Sequence, residues 1–134
     1  MSNHGKIFIP DHEYKERVTR AAKILQREKL DAMIVNSNEA DYANARYFSG
    51  FWPLFERSGV AISASGDAAL MVGPESREFA ADRSRLEKIF VLKEYRESAD
   101  PAYPELKADT YQDVFHAIGV NGKKLRIGVA SYLD

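Results

Sequence analysis

A chain of 134 residues has the size of one domain and is long enough to bury its own core. Its 45% hydrophobic and 29% charged residues are the balance of a soluble globular protein, and a net charge of -1 lacks the basic excess that nucleic acid or an anionic membrane would require, so neither is expected as a partner. The absence of cysteine excludes disulfides and thiolate metal sites and fits a reducing compartment; with only Ile7-Phe8-Ile9 as an apolar run before Pro10, too short for a signal peptide or a membrane span, the expected location is cytoplasmic.

Asp11 is a fitting N-cap, and Glu13 suits the positive end of a helix. Tyr14, Val18, Ala21, Ala22 and Leu25 then recur at helical spacing and predict an amphipathic helix over 12–28. The consecutive apolar residues of 32–36 predict a strand covered on both faces, as in a parallel sheet. Asn38 is placed to cap a second helix from 39 to about 47, and Gly50 ends that unit. Residues 51–58, Phe-Trp-Pro-Leu-Phe-Glu-Arg-Ser, form a loop with three large aromatic residues and a proline. Strands are predicted over 59–64 and 68–72, joined by the hairpin connection Ser65-Gly66-Asp67.

After Gly73-Pro74, a short helix is expected over 75–84 with Phe79 and Ala80 facing inward, and then a strand over 88–92. Residues 94–108 read as a charged loop with two prolines. Thr110 and Asp113 resemble a capping box, Val114, Phe115 and Ile118 give the next helix its apolar face, and Gly119 stops it. Residues 125–130 form a last strand. The order α-β-α-β-β-α-β-α-β predicts an α/β fold, a mixed five- or six-stranded sheet flanked by helices on both faces. Ile34, Val35, Ile62, Leu70, Val72, Phe90, Leu92 and Ile127 are expected in its core.

Catalytic chemistry finds little support. His4, His12 and His116 have no partner at a metal-ligand spacing, so no metal site is expected within the chain. There is no Gly-x-Ser-x-Gly elbow and no glycine-rich phosphate loop. Glu39 and Asp41 are explained by a helix start. Tyr47 and Phe48 suit the core. What remains is Phe51, Trp52, Phe55 and Arg57. Aromatic residues with an arginine on a loop have the composition of an interface centre or a substrate contact; the plain alternative is a loop folded back over the sheet edge.

Leu30-Asp31-Ala32-Met33-Ile34-Val35, followed by Asn44-Ala45-Arg46-Tyr47-Phe48-Ser49-Gly50-Phe51 and the hairpin, resembles the N-terminal domain of the creatinase/prolidase/aminopeptidase P family. Phe48 and Ser49 stand where leucine and threonine are usual. Lys29 stands where a glycine often closes the first helix, which implies a positive φ at Lys29 or Leu30. The resemblance implies a ribonuclease-H-like sheet and a single non-catalytic domain over 1–134. It implies a role in forming a homodimer and closing an active-site cleft. The catalytic C-terminal "pita-bread" domain, which holds a dinuclear divalent metal centre in the peptidases and none in creatinase-type members, would be a separate part that this chain lacks. Phe55-Glu56-Arg57 is similar to a loop that reaches a partner subunit's site. Peptidase and creatinase-like chemistry both remain open for the parent hydrolase, as does a free-standing binding or interaction module of the same fold.

Overall fold

Helix α1 (Asp11–Arg27) opens the computed structural model, which describes residues 8–53, 56–97 and 107–130. Its buried stripe is the predicted one: Tyr14, Val18, Ala21, Ala22 and Leu25. Pro10, not Asp11, occupies the N-cap; Asp11 is the first helical residue, where its charge still meets the positive helix end. The helix closes through Lys29, which takes the left-handed φ of 58°, while the Leu30 amide donates to the Leu25 carbonyl at 2.8 Å. The chain thus makes the turn a glycine would favour with a lysine in the glycine's place.

Strand β1 (Ala32–Ser37) follows. Asn38 does not cap a helix. Its Oδ1 accepts from the Ala40 and Asp41 amides at 3.0 and 2.7 Å, a side-chain turn that delays helix α2 to Ala43–Ser49. Gly50 ends α2 in the left-handed conformation, φ 71°. Strands β2 (Ser58–Ser63) and β3 (Ala68–Val72) form the hairpin, with Gly66 at φ 93° in the connection. A 3₁₀ turn, Pro74–Ser76, leads into α3 (Arg77–Arg83). Ala80 is buried there, but Phe79 is 43% exposed rather than inward. Successive helical residues point about 100° apart, so a helix that turns Ala80 to the sheet leaves Phe79 at the rim.

Strand β4 (Ile89–Val91), a second 3₁₀ turn (Lys93–Tyr95), helix α4 (Tyr111–Ala117) and strand β5 (Ile127–Ala130) complete the chain. Part of the expected loop over 94–108 lies outside the described residues. The capping box is present in both directions: Thr110 accepts from the Asp113 amide, and the Asp113 carboxylate accepts from the Thr110 amide. No helix among the described residues is long and apolar enough to cross a membrane.

The five strands lie in the order β4-β3-β2-β1-β5. β1 with β2 and β2 with β3 are antiparallel; β1 with β5 and β3 with β4 are parallel, so the sheet is mixed as predicted. The period of two along each strand divides the core into two layers. Val35, Val60, Ile62, Leu70 and Val72 pack with α1, α3 and Phe51 on one face. Ala32, Ala61, Ala69 and Met71 pack with Val114 of α4 and Ile118 at its C-terminal cap on the other. Ala61 and Ala69 are register partners, and their small side chains leave room for α4 to approach. Lys88 joins the layers at one end: its ammonium pairs with Asp67 in the hairpin and donates to the Ala117 carbonyl at the end of α4 at 2.8 Å.

Val35, Ile62, Leu70, Val72 and Leu92 are buried as expected, whereas Ile34, Phe90 and Ile127 are only half-buried. Phe90 and Ile127 belong to the short edge strands, and Ile34 lies one strand from an edge. β1 is therefore less enclosed than its apolar run implies, and the strands buried at every position are β2 and β3. Ile62→Asp is expected to abolish cooperative urea unfolding followed by circular dichroism, because an unpaired carboxylate there costs several kcal/mol of a total of roughly 5–15. Ile34→Asp should retain a cooperative transition at a lower midpoint; equal damage by both would contradict the difference in burial. A left-handed residue other than glycine costs roughly 1–2 kcal/mol, and glycine's freedom in the unfolded chain offsets about 0.4–1 of that. Lys29→Gly should therefore raise stability by up to about 1.6 kcal/mol, seen as a higher urea midpoint with an unchanged slope.

Candidate functional site

Of the four loop residues singled out from the sequence, the three that are described do not form one cluster. Phe51 is 1% exposed and belongs to the core layer with α1. This corrects its expected place on a surface loop. After Gly50 the chain turns inward, the Phe51 amide donates to Ser49 Oγ at 3.1 Å, and burying the ring is worth about 1.5–3 kcal/mol. Trp52 is 39% exposed. Its indole stacks on Tyr42 at 6.2 Å between centroids, and the Arg46 guanidinium lies 4.2 Å from its ring centre. Phe55 lies outside the described residues. Arg57 is exposed and immediately precedes β2.

Arg57 lines a cleft of about 170 Å³ with Asn36, Ser37, Glu94, Tyr95 and Tyr111. Asn36 and Ser37 end β1, Tyr95 follows β4, and Tyr111 begins α4. In open α/β sheets the ends of the strands, where the chain changes direction, are where ligands bind. A chain of hydroxyls organises the cleft. Tyr95 Oη donates to Asn36 Oδ1 at 2.6 Å and accepts from Tyr111 Oη at 3.1 Å. Two glycines make room for Tyr95. A Cβ at Gly59 would come within 2.7 Å of its hydroxyl, and one at Gly73 would overlap its carbonyl oxygen. Arg57 and Glu94 carry opposite charges on this cleft, and neither forms an ion pair among the described residues.

A second cavity, of about 300 Å³, lies on the other face of the sheet. It is lined by Tyr14, Gly50, Phe51, Trp52, Phe79, Arg83 and Arg85. Gly50 is again the point of close approach: a Cβ there would meet Arg85 Cγ and Tyr14 Oη at 3.0 Å. Beside this cavity Arg17 ties α1 to α2, donating to the Tyr47 carbonyl at 2.8 Å. Hydrogen bonds from Arg17 and Arg20 hold the Glu13 carboxyl below its usual range.

Among the described residues, no histidine lines either cleft. His12 and His116 are exposed, and His4 lies outside the described residues. Ser58, beside Arg57, is fully buried, and its hydroxyl has no hydrogen-bond partner among the described residues, so no base activates it. No three His, Asp or Glu side chains among the described residues gather as a metal ion would require. The donor set of the described residues does not fit a dinuclear metal centre. Sequence reading missed Asn36, Glu94, Tyr95, Tyr111, Tyr14, Arg83 and Arg85 as cleft residues. The available signal was glycine: Gly59 within a strand and Gly73 at the end of another mark close approach by a bulky side chain.

Comparison with known proteins agrees with this architecture. The family model of the creatinase/prolidase N-terminal domain matches residues 17–134. A creatinase/prolidase-like N-terminal domain from Corynebacterium diphtheriae has a TM-score of 0.55 at 14% identity, over 90% of this chain and 98% of that one. A proline dipeptidase structure from Streptococcus pneumoniae has a TM-score of 0.53 at 21% identity, over 84% and 72%. The prolidase from Pyrococcus horikoshii has a TM-score of 0.51 at 17% identity; the likeness covers 87% of this chain and 32% of the prolidase chain. At these identities the structural likenesses show the fold. Comparison with curated proteins finds no match. The family match runs from within α1 to the last residue, over a mixed sheet of the same architecture, and on that ground the chain belongs to the creatinase/prolidase N-terminal domain family.

Proposed function

We propose that this chain is the non-catalytic N-terminal domain of a hydrolase of the Xaa-Pro peptidase or creatinase-like kind, and that it serves dimerisation, closure of the active-site cleft and substrate recognition. Domains similar to it occur in a proline dipeptidase and a prolidase, which supports the hydrolase assignment of the parent protein. The observation that carries the recognition role is the state of Arg57. It is exposed, stands at the strand-end cleft and has no ion pair among the described residues. Its guanidinium is free to meet a carboxylate supplied from outside, either by a substrate or by a partner. Trp52, exposed and stacked on Tyr42 under Arg46, supports the interface role, since aromatic rings and arginine dominate interface centres. A dinuclear metal centre, where the parent has one, belongs to the catalytic domain.

Arginine suits a carboxylate because its planar fork donates two parallel hydrogen bonds. Arg57→Ala is expected to leave folding unchanged and to weaken substrate binding in the complete enzyme by roughly 1.5–3 kcal/mol, the scale of a hydrogen bond to a charged group. Arg57→Lys should recover part of that loss. A lowered melting temperature with unaltered kinetics would instead make Arg57 a structural residue. The alternative reading, a free-standing binding module, is separated by the intact mass of the natural protein: a mass near that of a single domain would favour the module over the hydrolase.

A further inference from the structure

We propose that the cavity between α1, the Gly50 turn and α3 is a binding site for a small aromatic carboxylate. This reading does not depend on the role of Arg57, which lies on the other cleft. Four aromatic rings, those of Tyr14, Phe51, Trp52 and Phe79, line the cavity. Among the described residues, the charged groups on its lining are the guanidiniums of Arg83 and Arg85, and no carboxylate lines it. A complementary ligand therefore has an apolar, ring-sized body and a negative charge. The volume, about 300 Å³, lies at the low end of the range for small-molecule sites, roughly 300–1,000 Å³, and suits a single ring with a short acidic arm.

The two arginines are positioned rather than loose. Arg83 lies over the Phe79 ring at 5.3 Å and Arg85 over the Tyr14 ring at 5.7 Å. Arg83 Nε donates to Asp82 at 3.1 Å, and Arg85 Nη1 donates to Asp11 at 2.5 Å. Each guanidinium has five N–H groups, so each keeps donors for a ligand carboxylate. Phe51 and Phe79 already meet edge to face, at 5.5 Å and 64°, and a ligand ring would extend that arrangement. Trp52 and Phe79, 39% and 43% exposed, are the apolar surfaces that such a ligand would cover.

Trp52 is the only tryptophan in this chain, so its fluorescence reports on the cavity directly. The test is titration of the protein with 3-phenylpropionate, with 3-phenylpropan-1-ol as the uncharged match. The acid should give a saturable change in Trp52 emission, and the alcohol should bind at least about tenfold more weakly, the difference expected when hydrogen bonds to a charged group are lost. Arg83→Ala and Arg85→Ala should each weaken the acid by about tenfold or more while leaving the alcohol unaffected, and Phe79→Ala should weaken both. Circular dichroism checks each variant. If Arg85→Ala unfolds through loss of its packing on Tyr14, Arg83→Ala alone carries the test. Equal binding of acid and alcohol, unchanged affinity in a folded Arg83→Ala variant, or no saturable response to the acid would each overturn the proposal.

Discussion

Strand β2 has neighbours on both edges and cover on both faces, and no residue from Ser58 to Ser63 is exposed. Its amides and carbonyls find partners in β1 and β3, which a buried strand requires. Val60 and Ile62 face α1 and α3, while Ala61 faces α4. Each helix thus packs against a surface that β2 holds in place. The loop before it inherits that constraint. The chain leaves α2 on one face, buries Phe51 there, and must arrive at the strand end in register with Ser37 and Val72. Arg57 is the last exposed residue before burial becomes complete, which is why it stands at the mouth of the strand-end cleft.

Both clefts are built where a Cβ is missing. Gly50 admits Tyr14 and Arg85 on the face that carries α1; Gly59 and Gly73 admit Tyr95 on the face that carries α4. A side chain at any of these positions would push a ring away from the backbone. In the strand-end cleft the Tyr95 hydroxyl is thereby held against Asn36, so the polar groups are oriented before any ligand arrives. The second cavity is oriented differently, by rings beneath guanidiniums. Among the described residues, one cleft carries both signs of charge on its lining and the other only positive charge.

The boundary between local and tertiary control runs through particular residues. Helix α1, the hairpin, the Thr110–Asp113 capping box and the stop at Gly50 were legible because their causes lie within a few residues: apolar spacing, turn chemistry and side-chain capping. The positive φ at Lys29 was legible only by likeness to a family that often has glycine there. Asn38 shows the limit of local rules, since the same side chain can cap a helix or close a turn, and the path into α2 selects the turn. Phe79 shows it again, because a short helix presents a different face when the sheet takes Ala80.

By itself the sequence determined the order and kind of the elements, the mixed sheet and five of the eight expected core positions, which depend on periodicity and short-range chemistry; the family resemblance rested on the motifs at 30–35 and 44–51. Only the tertiary structure decided that β2 and β3, not β1, are the enclosed strands, that Phe51 is core while Trp52 and Arg57 face outward on separate clefts, and that Tyr14, Phe79, Arg83 and Arg85 share one cavity. The physical reason is distance along the chain. Tyr14 and Arg85 meet across the Gly50 turn, and Asn36 and Tyr95 meet across Gly59, contacts that exist only after the sheet has assembled.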